Sequence, residues 1–165
     1  MPESQLPRSR PDKTVLAGAP VMVLDTNVVL DCLLFQDKAC SRLSGMLLRR
    51  QLHWHATASM RSELASVLPR RQMQRWAPDC EHILSVFDLL TNLCPQPPCA
   101  AGPTAKLRCR DPDDQKFIDL AVAVGARWLL SKDRALLALA RPASVQGVQV
   151  LTPAQWHHLA PAGEG

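Results

Sequence analysis

One run of four residues narrows what this chain can fold into: Val21-Met-Val-Leu24 is continuous, apolar and rich in β-branched side chains, and it stops abruptly at Asp25. So short an apolar run, without alternation, suits a strand buried on both faces, as in a parallel sheet covered by helices. The chain beyond it switches repeatedly between helical and extended patterning. Helices are expected from about Val28 to Phe35 and Ala39 to Arg50, then a short strand over Leu52 to Ala56, a helix over Ser59 to Leu68 and another over Asp79 to Leu93. Cys94 to Arg110 carries Pro95, Pro97, Pro98, Gly102 and Pro103 and reads as irregular, with a short strand near Leu107. Asp111 opens a helix to about Gly125 by supplying an N-cap ahead of Pro112. Arg127 to Ser131 is the next strand, Arg134 to Ala140 a helix, and Val148 to Leu151 the last strand. Thr152, Pro153 and Gln155 then write a capping box for a terminal helix. Four or five short strands alternating with helices predict an α/β sandwich with a mainly parallel central sheet.

The chain's 165 residues suit one domain with a real hydrophobic core. Residues 1–20, with four prolines and few large apolar groups, read as a loose tail, 21–158 as the folded domain and 159–165 as a second tail. The six cysteines show no zinc spacing, so reduced thiols are expected rather than disulfides. No apolar run approaches the roughly 18 residues that cross a bilayer. A cytoplasmic protein with no membrane partner is the expectation.

Several carboxylates stand where apolar residues belong. Positions 60, 63, 64 and 67 form one helical stripe of Met60, Glu63, Leu64 and Val67, which puts a glutamate on the core face. Buried carboxylates are rare without a cation or hydrogen bonds, and Arg61 or Arg70 could supply the pair. Asp114 repeats the anomaly on the stripe it shares with Phe117, Ile118 and Ala121, whereas Asp113, one turn from Lys116, should face solvent. Asp25 ends the first strand and Asp133 follows the Trp128 strand. In α/β sheets, ligand sites gather at the carboxyl ends of parallel strands. Helix capping explains Asp114 or Asp133 taken singly; the four together point to a site.

Converging acids need counter-charge, because like charges about 4 Å apart repel by roughly 4 kcal/mol at an effective dielectric near 20. With oxygen donors only, the fitting ions are hard ones, Mg²⁺ or Mn²⁺ rather than zinc. Taking four from the 15 acids leaves 11 against 19 basic residues, so a polyanion could approach a metal-filled acidic cleft along a basic surface. Seven arginines lie between Arg42 and Arg75, with Glu63 the single acid among them. A nucleic-acid phosphodiester is the natural substrate for such a pairing.

Four segments, Val21-Met-Val-Leu-Asp-Thr-Asn-Val-Val-Leu30, Thr57-Ala-Ser-Met-Arg-Ser-Glu-Leu64, Arg110-Asp-Pro-Asp-Asp-Gln-Lys-Phe-Ile-Asp-Leu-Ala121 and Leu130-Ser-Lys-Asp-Arg-Ala-Leu136, together resemble a PIN domain. The resemblance covers about residues 21–158 and is narrowest to the VapC-type toxin components of bacterial toxin–antitoxin systems. It implies a three-layer α/β/α PIN-like sandwich and a metal-dependent endoribonuclease. Asp25, Glu63, Asp114 and Asp133 would be the acidic quartet, supported by Asn27 and Ser131. Metal charge would then activate water for in-line attack and stabilise the departing 3′ oxygen, leaving a 5′ phosphate. Asp25 and Asp114 would be direct ligands, Glu63 would act through water and Asp133 would complete a second metal position, with Thr26 and Asn27 orienting them. RNA would be the substrate, a cognate antitoxin the protein partner, and a homodimer the working unit. The Asp111, Asp113, Asp114 run leaves the third ligand open between Asp113 and Asp114.

Two rivals stand beside this reading. A haloacid-dehalogenase-like phosphotransferase would carry a second aspartate two residues after Asp25, where this chain has Asn27. A non-catalytic module would instead bind RNA or a protein partner and leave the acids inert.

Overall fold

A computed structural model describes residues 18–97 and 107–160. Most of the expected N-terminal tail, the middle of the proline-rich connection and residues 161–165 of the expected C-terminal tail lie outside the described residues. Five strands, β1 (Val21–Leu24), β2 (His53–Thr57), β3 (Thr91–Cys94), β4 (Trp128–Leu130) and β5 (Gln149–Leu151), form one sheet in the order β3-β2-β1-β4-β5. Every neighbouring pair is parallel, with Met22 opposite both Trp54 and Trp128. Met22, Val23 and Leu24 in β1, and Trp128, Leu129 and Leu130 in β4, are all buried. Burial of consecutive residues requires cover on both faces, which is the three-layer α/β/α arrangement. Among the described residues no helix is long and apolar enough to cross a membrane.

Helices fill the connections. They are α1 (Thr26–Leu30), α2 (Ser41–Leu48), α3 (Ala58–Val67), α4 (Cys80–Leu90), α5 (Gln115–Ala123), α6 (Arg134–Leu137), α7 (Ala140–Val145) and α8 (Pro153–Leu159). Their caps come from the sequence as written: Thr57 accepts from the Met60 amide, Asp79 from His82, and Thr152 forms the full capping box with Gln155. Aromatic contacts tie the layers together, with Trp54 edge-on to Phe87 at 4.9 Å and Trp128 edge-on to Trp156 at 5.8 Å between ring centroids.

Four local expectations are corrected. The helix expected to reach Leu93 stops at Leu90, because the Thr91 hydroxyl donates to the Phe87 carbonyl at 2.8 Å and Thr91 turns extended to open β3. No strand forms at Leu107; it is buried, and its carbonyl accepts from the Gln115 side chain at 2.8 Å. The helix expected over Arg134 to Ala140 is split into α6 and α7, since the Pro142 ring would clash with the carbonyl four residues back in a continuous helix. The first helix begins at Thr26 rather than Val28 and passes into a π turn over Asp31–Phe35, which ends on left-handed Gln36. Among the described residues Cys32, Cys40, Cys80, Cys94 and Cys109 are free thiols.

Candidate active site

β1 is followed in sequence by β2 on one side, while β4 is followed by β5 on the other. The crevice beyond the carboxyl ends of β1 and β4 is therefore the switch point of the sheet, where α/β folds bind ligands. Asp25 leaves β1 directly into this crevice and is buried. One carboxylate oxygen accepts from the Val28 amide at 2.9 Å and caps α1; the other accepts a short hydrogen bond from the Ser131 hydroxyl. Ser131 follows β4, is fully buried, and its hydroxyl also accepts from the Asp133 amide at 2.9 Å. A single serine thus ties the first strand's aspartate to the loop that carries the last one.

Asp133 caps α6 through one oxygen, accepting from Ala135 at 2.7 Å. Capping and lining the crevice are compatible, because a carboxylate has a second oxygen. Asp114 makes no cap hydrogen bond. Asp111 takes that role instead, accepting from the Asp113 amide at 3.0 Å, and Asp113 is exposed as expected. Of the two candidates for the third ligand, Asp114 is the one that lines the crevice. Glu63 reaches the same place from α3.

Asp25, Glu63, Asp114 and Asp133 line one pocket of about 180 Å³, together with Thr26, Asn27, Val67, Arg70, Gln72, Met73 and Phe117. Asn27 is exposed at its rim, while Ser131 lies beneath it. Burial, then the charges of Asp133, Asp111, Asp25 and Glu63, push the Asp114 carboxyl up to about 6. Burial raises Asp25 as well, against the hydrogen bonds from Ser131 and Val28 that favour its charge. A carboxyl that feels four other acids sits in a pocket short of positive charge.

Arg70 lines the pocket, but the cation that pairs with Glu63 is neither arginine suggested by the sequence. Lys116 on α5 pairs with Glu63 at 2.5 Å and donates to the Asp113 carbonyl at 2.9 Å. Arg61 is engaged elsewhere, in a two-pronged pair with Asp88. Asp31 does not touch the crevice rim as a ligand; it is buried and paired with Lys132 at 2.6 Å. Asp119 accepts from Gln115 at 2.9 Å.

The arginines from 42 to 75 do not form one strip along the cleft. Arg42 reaches the His157 carbonyl at the far end of the chain, Arg50 the Leu89 carbonyl, and Arg61 the α4 aspartate. Only Arg70 lines the pocket, with Arg71 and Arg75 exposed on the following 3₁₀ helix, Arg71–Trp76. This helix, which also supplies Gln72 and Met73, was unexpected.

The sequence profile of the PIN domain matches residues 21–135. The chain belongs to the PIN domain family. This PIN domain finds no match among curated proteins. Among solved structures it is similar to a chain in the crystal structure of VapBC2 from Rickettsia felis bound to a DNA fragment from their promoter. That similarity has a TM-score of 0.53 and 13% identity over 79% of this chain and 96% of the other. At that identity the likeness shows the fold.

PIN domains are generally nucleases that use divalent metals. The pocket's donor set fits such an ion in kind: the acids are oxygen donors, no histidine or cysteine among the described residues lines it, and burial together with the neighbouring acids raises Asp114. Among the described residues no three acidic, histidine or cysteine side chains already close on one point as a metal cage. A cation there would be held partly through water or would draw the carboxylates inward, as suits Mg²⁺, which keeps several waters.

Proposed function

We propose that this PIN domain is a Mg²⁺- or Mn²⁺-dependent endoribonuclease and the toxin component of a toxin–antitoxin pair. The observation that carries the reading is the meeting of Asp25, Glu63, Asp114 and Asp133, from four separate segments, in one pocket at the sheet's switch point. Asp25 and Asp114 would bind the metal directly, Asp133 would complete a second position, and Glu63 would hold coordinated water. A bound divalent ion supplies Lewis-acid activation of water and stabilises charge on the departing oxygen.

The chain's own groups do the rest. Ser131 and the Val28 amide fix the Asp25 carboxylate in one orientation, so little reorganisation is needed when phosphate arrives. Thr26 and Asn27 line the pocket beside Asp25 and can donate to a phosphate oxygen. Arg70 offers a guanidinium to the phosphate at the mouth. Lys116 holds Glu63 until the pocket fills, and its ammonium is placed to neutralise charge at the rim.

Similarity to a VapBC2 chain supports an antitoxin partner, and self-association belongs to the same proposal. The Lys116–Glu63 pair also gives substance to the alternative of an RNA- or protein-binding module without catalysis, since one acid is already neutralised. Incubation of the full chain with unstructured RNA separates the two: cleavage with Mg²⁺ or Mn²⁺ that stops with EDTA and leaves 5′ phosphates is expected. Binding without metal-dependent cleavage would replace the nuclease with the module.

A further inference from the structure

Three of the chain's four tryptophans, Trp54, Trp128 and Trp156, are buried. Trp76 differs: it is 37% exposed. It ends the 3₁₀ helix Arg71–Trp76, none of whose residues is buried, and Trp76 is not part of the hydrophobic core. The same helix sends Gln72 and Met73 into the acidic pocket, as does its cap Arg70. Side chains three apart eclipse one another on a 3₁₀ helix, which places Trp76 in one column with Met73, displaced by about 6 Å along the axis. Met73 lines the pocket and Trp76 does not.

The surroundings of Trp76 are those of a ring that receives a flat ligand. The Arg75 guanidinium lies 3.8 Å from the ring centroid, and Phe35, from the π turn after α1, lies 4.5 Å away and tilted by 50°. Arg71 and Arg75 are exposed beside it. An aromatic face with adjoining arginines is how proteins hold unpaired bases: the ring stacks on any base, and the guanidinium meets the backbone or stacks in turn. Bases in a duplex are already stacked and paired, so they cannot use such a surface.

We propose that Trp76, backed by Phe35 and flanked by Arg71 and Arg75, is a stacking platform for an unpaired base of the strand whose phosphate occupies the carboxylate pocket. The placement of the phosphate rests on the nuclease reading above; the platform itself does not. Arg75 leaves the ring for the backbone as the base arrives. Stacking of one base on an aromatic side chain is worth about five- to 150-fold in affinity.

The test uses the full-length protein in EDTA, so that cleavage plays no part, and a short oligouridylate labelled at one end. All four tryptophans emit, but burial shields Trp54, Trp128 and Trp156 from contact with the oligonucleotide, so the part of the quenching that is lost in Trp76→Leu reports on Trp76. Saturable quenching by the oligonucleotide is expected, with none from the same strand annealed into a duplex. By anisotropy of the label, Trp76→Leu should bind about five- to 150-fold more weakly, while Trp76→Phe, which keeps an aromatic face, recovers most of the affinity. Absence of quenching, or equal affinity of Trp76→Leu and the natural chain, overturns the platform. Quenching without metal-dependent cleavage upholds it while refuting the nuclease; cleavage without quenching refutes the platform alone.

Discussion

Asp25 is buried, accepts two hydrogen bonds and opens directly on the pocket, so its charge can be removed with little change in shape. Asp25→Asn should lower metal-dependent RNA cleavage by about 10²–10³-fold or more with the circular dichroism spectrum unchanged. Ser131→Ala removes only the support for that carboxylate, and a loss of about 10–100-fold in the same assay is expected. Asp114 tests the electrostatics. Its folded pKa of about 6 lies above the ordinary 3.8, so the folded state holds the proton more tightly than the unfolded state. The resulting stabilisation is present at pH below about 4 and is lost as pH rises through 6. In EDTA at pH 7.5, Asp114→Asn should therefore raise Tm by about 3 °C, corresponding to roughly 1 kcal/mol after solvent screening. The gain should vanish near pH 4, and a thermal melt series across pH checks it.

At the scale of elements, what was legible in the sequence follows from how strongly each element is marked. β1 is an unbroken apolar run, α8 carries a full capping box, and α3 and α5 have clean apolar stripes, which is also why Glu63 and Asp114 stood out on them. β3 was hidden because Thr91–Cys94 is four residues long, without alternation, directly after a helix. The 3₁₀ helix over Arg71–Trp76 was hidden because its spacing is three rather than 3.6 and it lies in a polar stretch. The Lys116–Glu63 pair joins two helices distant in sequence, and no local pattern announces it. Capping by Thr152 is a local effect with a local cost. Thr152→Ala should lower stability by about 1 kcal/mol, or about 3 °C in Tm, without changing cleavage at temperatures where the fold is intact.

Across the whole molecule, a parallel sheet whose order reverses at β1 and β4 brings together carboxylates separated by more than a hundred residues, while the excess of basic residues lies elsewhere. Dispersal of the arginines bears on RNA binding. With Arg70, Arg71 and Arg75 the ones on or next to the pocket, the slope of log affinity against log salt for a single strand should be about −2 rather than the −5 that all seven would give. Whether the acids act together as a site for a hard cation is tested most directly by titrating Mn²⁺ into the EDTA-treated, buffer-exchanged protein in a calorimeter. Saturable binding that disappears in both Asp25→Asn and Asp114→Asn is the predicted result. Absence of binding at millimolar Mn²⁺, or binding that survives both substitutions, would contradict it.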